Sequence, residues 1–362
     1  MRLLICAGGT GGGVYPALAI LQAMTDNVEV QWVGVQGGME STLVQRAGIA
    51  FDTIPAAGLH GVGLKHIPRN LSLIVKGFYA SRRILERFKP DAVLFTGGYI
   101  AFPVALAAGS IPSLLFVPDI EPGMAIKAIA RFTNTIAVIA TETRHYFSKK
   151  ANVIVTGYPT RSELAKWDKK SSRQHFKLVD DMPVLLVFGG SKGARSINNA
   201  ILEHLPDLLN IAQIIHISGE LDWPSVNEKI QGLNIDQSTR YHAFPYLHED
   251  MGAALASADL VISRSGASSL GELPLHALAA ILVPYPYAWR YQSVNAHHLA
   301  SQGAALIIKD SQLSTQLIPT INNLLKNPSQ LKAMSKSMQS LSRPQAAELI
   351  GQQLVLLAGE RS

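Results

Sequence analysis

Two glycine-rich loops hold the residues best suited to chemistry. Gly8-Gly9-Thr10-Gly11-Gly12-Gly13 follows the apolar run Arg2-Leu3-Leu4-Ile5-Cys6-Ala7. Glycine permits positive φ and lets backbone N–H groups approach a ligand closely. A helix opening after such a turn adds unpaired donors and a partial positive charge. Together these make an anion site, most often for phosphate. A ligand-free strand-to-helix turn leaves the same pattern, so one loop alone does not decide. The second loop, Gly189-Gly190-Ser191-Lys192-Gly193-Ala194-Arg195-Ser196, follows the apolar run Val184-Leu185-Leu186-Val187-Phe188.

Two further stretches carry polar groups suited to a nucleotide sugar. Arg264-Ser265-Gly266-Ala267-Ser268-Ser269-Leu270-Gly271-Glu272 reads as a loop opening a helix. A carboxylate there, Glu272, can accept both hydroxyls of a ribose, as acidic residues do in other nucleotide sites. A Glu that only stabilises the helix dipole occupies the same place. Gln292 and Asn295 lie three residues apart, on one helix face, where neutral amides can read sugar hydroxyls. An ordinary polar helix start explains them equally well.

The elements that must position these residues alternate. Strands are predicted over 3–7, 28–33, 51–54, 92–95, 113–117, 135–138 and 153–155, with helices over 16–24, 39–47, 71–88, 99–108 and 122–132. Gly157-Tyr158-Pro159-Thr160-Arg161 breaks the pattern, and a polar stretch, 166–181, follows. The alternation then restarts. Strands are predicted over 184–188, 213–217, 239–244, 260–262, 280–283 and 304–308, and helices from 197 and over 249–257, 267–277, 292–302 and 313–326. Short apolar strands alternating with helices predict parallel sheets covered on both faces. Ligands of such sheets sit at the carboxyl ends of the strands. The expected domains are 1–158, joined by a last helix within 344–362 that crosses back, and 159–343.

Bulk properties agree with this class. A length of 362 residues exceeds one ordinary core, so two domains are expected. With 48% apolar and 16% charged residues the chain is globular, not disordered. The single cysteine, Cys6, allows no disulfide within the chain, which fits a reducing compartment. The apolar start is too short for a signal peptide. The uncharged stretch from Tyr99 is broken by Pro103, Gly109 and Pro112 and reads as helix, turn and strand, not as a membrane span. A formal net charge of +6 suits anionic partners. No zinc spacing, RNA-binding motif or helix-turn-helix pattern occurs, so nucleic acid is not expected as a partner.

Several stretches in order resemble the N-acetylglucosaminyltransferase family of peptidoglycan synthesis, over nearly the whole chain. They are Gly8-Gly9-Thr10-Gly11-Gly12 with Pro16-Ala17-Leu18-Ala19; Met39-Glu40; Gly97-Gly98-Tyr99 with Pro103; Arg161 after Pro159; the second glycine loop with Asn198; Glu249-Asp250-Met251; Arg264-Ser265-Gly266-Ala267; Glu272; and Gln292 with Asn295-Ala296. The resemblance implies an α/β protein of the GT-B fold, two Rossmann-like domains facing across a cleft. It also implies transfer of GlcNAc from UDP-GlcNAc to a polyprenyl-pyrophosphate-linked sugar acceptor, undecaprenyl-pyrophosphoryl-MurNAc-pentapeptide. The donor site would comprise Arg161, Ser191, Leu247, Ala267, Glu272 and Gln292. The acceptor side would comprise Thr10, Gly11, Gly12, Gly98 and Tyr99. The implied reaction is an inverting direct displacement with no metal and no cofactor, UDP-GlcNAc being a substrate; the sequence contains no Asp-x-Asp, which agrees. The family is peripheral to the cytoplasmic face of the membrane. The basic, partly apolar run from Leu59 to Phe78, with Lys65, Arg69 and Lys76, followed by Arg82, Arg83, Arg87 and Lys89, suits an anionic membrane surface. A core helix with a solvated basic face is the alternative.

The chain also departs from the family. The usual His after the first loop, a favoured base, is Gly13 here. A His-Glu-Gln-Asn-like run is replaced by Pro118-Asp119-Ile120-Glu121-Pro122-Gly123, and the paired glutamines become Tyr291-Gln292. Three readings stay open. The base has moved to Asp119 or Glu121, Asp119 keeping the place of a family acid. Alternatively the acceptor differs, or the chain is a UDP-sugar-binding homologue without turnover. A nicotinamide-dependent oxidoreductase fits less well, because it leaves the second glycine loop unexplained and no acidic residue ends the second strand. A UDP-sugar 2-epimerase shares the architecture, but its acidic and His constellation is not seen.

Overall fold

A computed structural model describes residues 1–8, 11–24, 27–35, 39–58, 63–190, 192–287 and 291–359. It divides into two compact units, Met1–Arg161 with Arg343–Ser362, and Ser162–Ser342. In the first unit the strands β1 (Arg2–Cys6), β2 (Glu29–Gly34), β3 (Ala50–Thr53), β4 (Ala92–Phe95), β5 (Ser113–Val117), β6 (Thr135–Val138) and β7 (Asn152–Val155) form one sheet, in the order β3-β2-β1-β4-β5-β6-β7. In the second, β8 (Val184–Phe188), β9 (Gln213–Ile217), β10 (Tyr241–Phe244), β11 (Leu260–Ser263), β12 (Ala280–Leu282) and β13 (Ala305–Ile307) run in the order β10-β9-β8-β11-β12-β13. The pairings are parallel, with Leu4 opposite Val93 and Val187 opposite Ile262.

The central strands form because their side chains are apolar on both faces and helices cover both, whereas the edge strand β3 has no buried residue. Leu3, Leu4, Ile5 and Cys6 are fully buried, as are β4 and β5 almost throughout. Each sheet reverses its winding direction once, between β1 and β4 and between β8 and β11. Ligands of doubly wound sheets bind at such a reversal, beyond the carboxyl ends of the strands. Both glycine loops leave a strand flanking one.

Every predicted strand is present, but the helices differ in instructive ways. The helix expected from residue 16 begins at Gly11 and runs Gly11–Ala23, with Pro16 inside it. Gly11, Gly12 and Gly13 thus form its first turn. Their bareness lets that turn press on the end of β4: Thr96 donates from Oγ1 to the Gly13 carbonyl at 2.6 Å, and a Cβ at Gly13 would lie 3.2 Å from the Thr96 carbonyl oxygen. The helix expected over 71–88 starts at Ile67, with Pro68 in its first turn, where the missing N–H costs nothing. Within the polar stretch 166–181 lies a helix, Lys169–His175. Asp168 caps it, accepting from the Lys170 and Ser171 amides, and it packs on the helix Met251–Ser257. The helices Trp223–Gln231 and Pro328–Ser340 are likewise mostly polar and absent from the sequence prediction.

The first unit continues through Arg161, three residues past the expected boundary at 158, and is completed by the last helix, Ala346–Gly359. That helix packs on Gly11–Ala23 and against β4 and β5. The returning chain meets the outgoing one at Gly157, whose φ is +87° and whose Cβ, if present, would lie 2.4 Å from the Arg343 Cβ. No other residue type fits there.

Candidate functional site

In the first unit the loops beyond β1 and β4 touch backbone to backbone. Gly97 and Gly98 have φ of +113° and +86°, and a Cβ on Gly98 would lie 2.8 Å from the Gly8 carbonyl oxygen. Gly8 is held from its other side by Glu40, whose Oε1 would be 2.5 Å from a Gly8 Cβ. Glu40 is fully buried, and the same Oε1 accepts the Val35 amide at 2.9 Å. Burial first, then the Glu40 charge, push the Cys6 thiol well above its ordinary range, so the one cysteine is an inert core residue. Of the acceptor candidates, Gly11 and Gly12 open the helix Gly11–Ala23, and Gly98 and Tyr99 lie at the β4 exit. Tyr99 is 39% exposed and sits beside Gly58, whose carbonyl accepts from Asn70 Nδ2 at 2.7 Å. Thr10 lies outside the described residues.

The two carboxylates of the β5 exit differ in access. Asp119 is half-buried, while Glu121 is only 5% exposed. The peptide between them is bolted down: buried Thr143 donates from Oγ1 to the Ile120 carbonyl at 2.9 Å. Arg161, a donor-site candidate expected in the second domain, belongs to the first unit, with its guanidinium 4.7 Å from the Tyr15 ring centre.

In the second unit the loop after β8 is a tight turn closed by the Gly193 amide donating to the Gly190 carbonyl at 2.9 Å. Gly190 and Gly193 have φ of +87° and +74°. The helix Arg195–Glu203 follows, with no side-chain cap at Ala194, so its first-turn amides face outward as donors for an anion. Ser191, the candidate between them, lies outside the described residues. Two side-chain networks hold this helix start. On one side, Arg264 donates to Asp310 Oδ1 at 2.5 Å and to Ser196 Oγ at 2.8 Å, and Ser196 donates to Asp310 at 2.7 Å. The Arg264 charge is therefore already met by a carboxylate. On the other side, Arg195 Nε donates to Asp222 Oδ1 at 2.9 Å, and Asp222 Oδ2 accepts from Asn198 at 2.9 Å.

Beyond β11, Glu272 falls in the first turn of the short helix Ser269–Leu275, with Ala267 in the loop before it. Gln292 and Asn295 both bear on this loop. The Gln292 carbonyl accepts from Ser265 Oγ at 2.7 Å, and buried Asn295 donates to the Ser265 carbonyl at 3.3 Å. The Gln292 side-chain oxygen takes the Tyr285 amide at 2.8 Å, which turns its NH2 group away from that contact. Leu247, half-buried, lies on the loop after β10. The structure thus gathers Ala267 and Gln292 around the β11 and β12 exits. Among the described residues no group of three or more His, Cys, Asp or Glu side chains is placed to hold a metal ion.

Sequence reasoning gave no role to His216, Tyr241 or Asp222. His216 is fully buried, its pKa pushed down to about 4 by burial, with Asp222 acting weakly the other way. The signal was available: His216 interrupts the apolar residues Ile214, Ile215 and Ile217 of β9.

Comparison with known proteins gives one consistent picture. Residues 3–138 match the glycosyltransferase family 28 N-terminal domain and residues 184–350 its C-terminal domain. The chain is 38% identical to the UDP-N-acetylglucosamine--N-acetylmuramyl-(pentapeptide) pyrophosphoryl-undecaprenol N-acetylglucosamine transferase of Desulforamulus reducens, covering 96% of each chain. It is 37% identical to the protein of that name from Roseiflexus, over 96% of this chain and 93% of the other. Among solved structures, MurG of Acinetobacter baumannii aligns over 98% of this chain and 99% of its own with a TM-score of 0.77 and 27% identity. A UDP-GlcNAc 2-epimerase from Neisseria meningitidis, at 16% identity and a TM-score of 0.67 over 98% of this chain and 100% of its own, shares the fold.

Proposed function

This chain belongs to the UDP-N-acetylglucosamine--N-acetylmuramyl-(pentapeptide) pyrophosphoryl-undecaprenol N-acetylglucosamine transferases of glycosyltransferase family 28, and from that premise we propose the part each site plays. It is a glycosyltransferase of GT-B fold that moves GlcNAc from UDP-GlcNAc to undecaprenyl-pyrophosphoryl-MurNAc-pentapeptide. The observation that carries the donor site is the uncapped start of the helix Arg195–Glu203 above the Gly190–Gly193 turn. The UDP diphosphate binds there, on backbone amides and Ser191, with Arg161 as a cation for its charge. Glu272 takes the ribose hydroxyls, the Leu247 backbone the uracil, and Ala267 with Gln292 the GlcNAc ring. The acceptor pyrophosphate meets Thr10, Gly11, Gly12, Gly98 and Tyr99.

The reaction is an inverting displacement. Asp119 takes the proton of the acceptor hydroxyl as its oxygen attacks the anomeric carbon, and the bond to UDP breaks. Half-burial supports Asp119 over Glu121, since a base needs both a dry surrounding and an open side. Helix-terminal amides and Arg161 meet the leaving charge, so no metal or cofactor enters the scheme.

The test is incubation with labelled UDP-GlcNAc, with and without the lipid-linked MurNAc-pentapeptide. Label is expected in the lipid fraction only when that acceptor is present. UDP-GlcNAc binding without transfer would establish a binding homologue, and release of UDP with another acceptor only would establish a different transferase.

Among the described residues no helix is long and apolar enough to cross a membrane. The helix Ile67–Phe88 instead exposes Leu71 (49%), Val75 (52%) and Tyr79 (59%), four residues apart and so on one stripe. Arg69, Lys76 and Arg83 are exposed on the same helix. This stripe seats the protein on the anionic leaflet at the cytoplasmic face. Sedimentation with vesicles is expected to need anionic lipid, to weaken with salt, and to be lost in Leu71→Ser/Val75→Ser/Tyr79→Ser. Equal sedimentation of that variant would remove the claim.

A further inference from the structure

A buried relay runs beneath the second glycine loop. Tyr241 of β10 lies 2.7 Å from His216 Nδ1, and His216 Nε2 lies 2.9 Å from Asn198 Oδ1. Asn198, on the helix Arg195–Glu203, donates to the Ser218 carbonyl at 2.8 Å and to Asp222 Oδ2 at 2.9 Å. Asp222 in turn holds Arg195 Nε. The directions follow from donor counting. Both N–H groups of Asn198 are spent, so its oxygen must accept, and His216 must carry its proton on Nε2. Nδ1 is then bare and accepts from the Tyr241 hydroxyl. Only one tautomer and one amide orientation satisfy every member.

The relay ends on the turn that faces the anion. Ser218 precedes Gly219, and a Cβ on Gly193 would lie 2.1 Å from the Ser218 carbonyl oxygen. A Cβ on Gly219 would lie 2.6 Å from the Gly193 Cα, so the two loops rest on each other. By gripping the Ser218 carbonyl, Asn198 sets how the Gly193 turn sits. By gripping Asp222, it sets Arg195 at the first position of the helix. An apolar residue at 216 would pack in β9 with no such reach.

We propose that His216 and Tyr241 are positioning residues for the nucleoside diphosphate. They fix the Asn198 amide, which in turn seats the Gly190–Gly193 turn and Arg195 against the leaving phosphates. This rests on the assignment of the UDP diphosphate to that turn.

The test is calorimetric titration of UDP into the full chain, with thermal melting recorded in parallel. Tyr241→Phe keeps the ring and removes only the hydroxyl that selects the tautomer. His216→Leu removes the donated N–H, while His216→Gln returns an N–H near the same place. Tyr241→Phe and His216→Leu are expected to raise the Kd for UDP by about 3- to 30-fold, the scale of one network hydrogen bond, and His216→Gln to recover most of it. KM for UDP-GlcNAc should rise alongside, with KM for the lipid acceptor unchanged. Unchanged UDP affinity in the first two variants, with lowered melting temperatures, would overturn the inference and make the relay purely structural. An equal loss in His216→Gln and His216→Leu would also overturn it. If the unsubstituted protein itself binds no UDP, the diphosphate assignment fails and takes the inference with it.

Discussion

Asp119→Asn is expected to lower transfer by about 10²–10⁴-fold while UDP binding stays at its original strength. The substitution keeps size and shape and removes only the ability to take a proton. The loop that carries Asp119 leaves β5, next to β4, whose exit bears Gly97, Gly98 and Tyr99. Thr143 fixes the following peptide at Ile120, so the carboxylate is presented from a rigid base. Gly13, where the family usually has a His, offers no base, and the local packing suits its bareness. A Cβ would lie 3.2 Å from the Thr96 carbonyl oxygen, so that helix or strand end must yield a few tenths of an ångström to admit one. Steady-state kinetics with UDP calorimetry checks the prediction. Should Asp119→Asn turn over normally and Glu121→Gln be dead, the base is Glu121 and the access argument is wrong.

Gly193→Ala should weaken UDP binding by about 10- to 10⁴-fold. The residue has φ +74°, and the new Cβ would lie 2.1 Å from the Ser218 carbonyl oxygen, a backbone atom that cannot swing aside. Backbone strain of about 1–3 kcal/mol and overpacking of about 1–3 kcal/mol both apply. At 1.4 kcal/mol per decade their sum spans roughly one to four powers of ten, and most of it falls on the turn that holds the ligand. Gly190→Ala is the control. Its φ of +87° carries strain, but among the described residues nothing lies within 4 Å of its Cβ, so a smaller loss is expected. Calorimetry on the two variants separates crowding from strain, and equal losses would show that crowding against Ser218 is irrelevant.

Most strands were legible because they are short apolar runs, several buried on both faces, as in Val184–Phe188, where every residue is inside, while the edge strand Ala50–Thr53 has no buried residue. Helices with an apolar stripe were legible too. Those such as Lys169–His175 were not, because capping and packing on a neighbour hold them where hydrophobic pattern is lacking. The glycine loops announced themselves, and the positive φ values and backbone contacts at Gly98, Gly193 and Gly219 show why nothing larger stands there. What supports them was hidden. Asn198 meets His216 eighteen residues away, and His216 meets Tyr241 twenty-five residues further on. Such partners become neighbours only when strands pair. Thr96, Thr143 and Asp310 were silent for the same reason.

The last helix has a consequence for how the protein comes into being. Domains usually mature in the order they leave the ribosome. Here Ala346–Gly359 covers the helix Gly11–Ala23 and part of β4 and β5, with Gly351 so close to Met24 that a Cβ would lie 3.0 Å from its Cγ. The unit that begins first therefore finishes last. Ser162–Ser342 is an unbroken stretch and can close on its own while the amino-terminal unit still waits, one apolar flank uncovered, for the final residues of the chain. Loss of residues 346–359 would thus damage the amino-terminal unit while leaving Ser162–Ser342 intact.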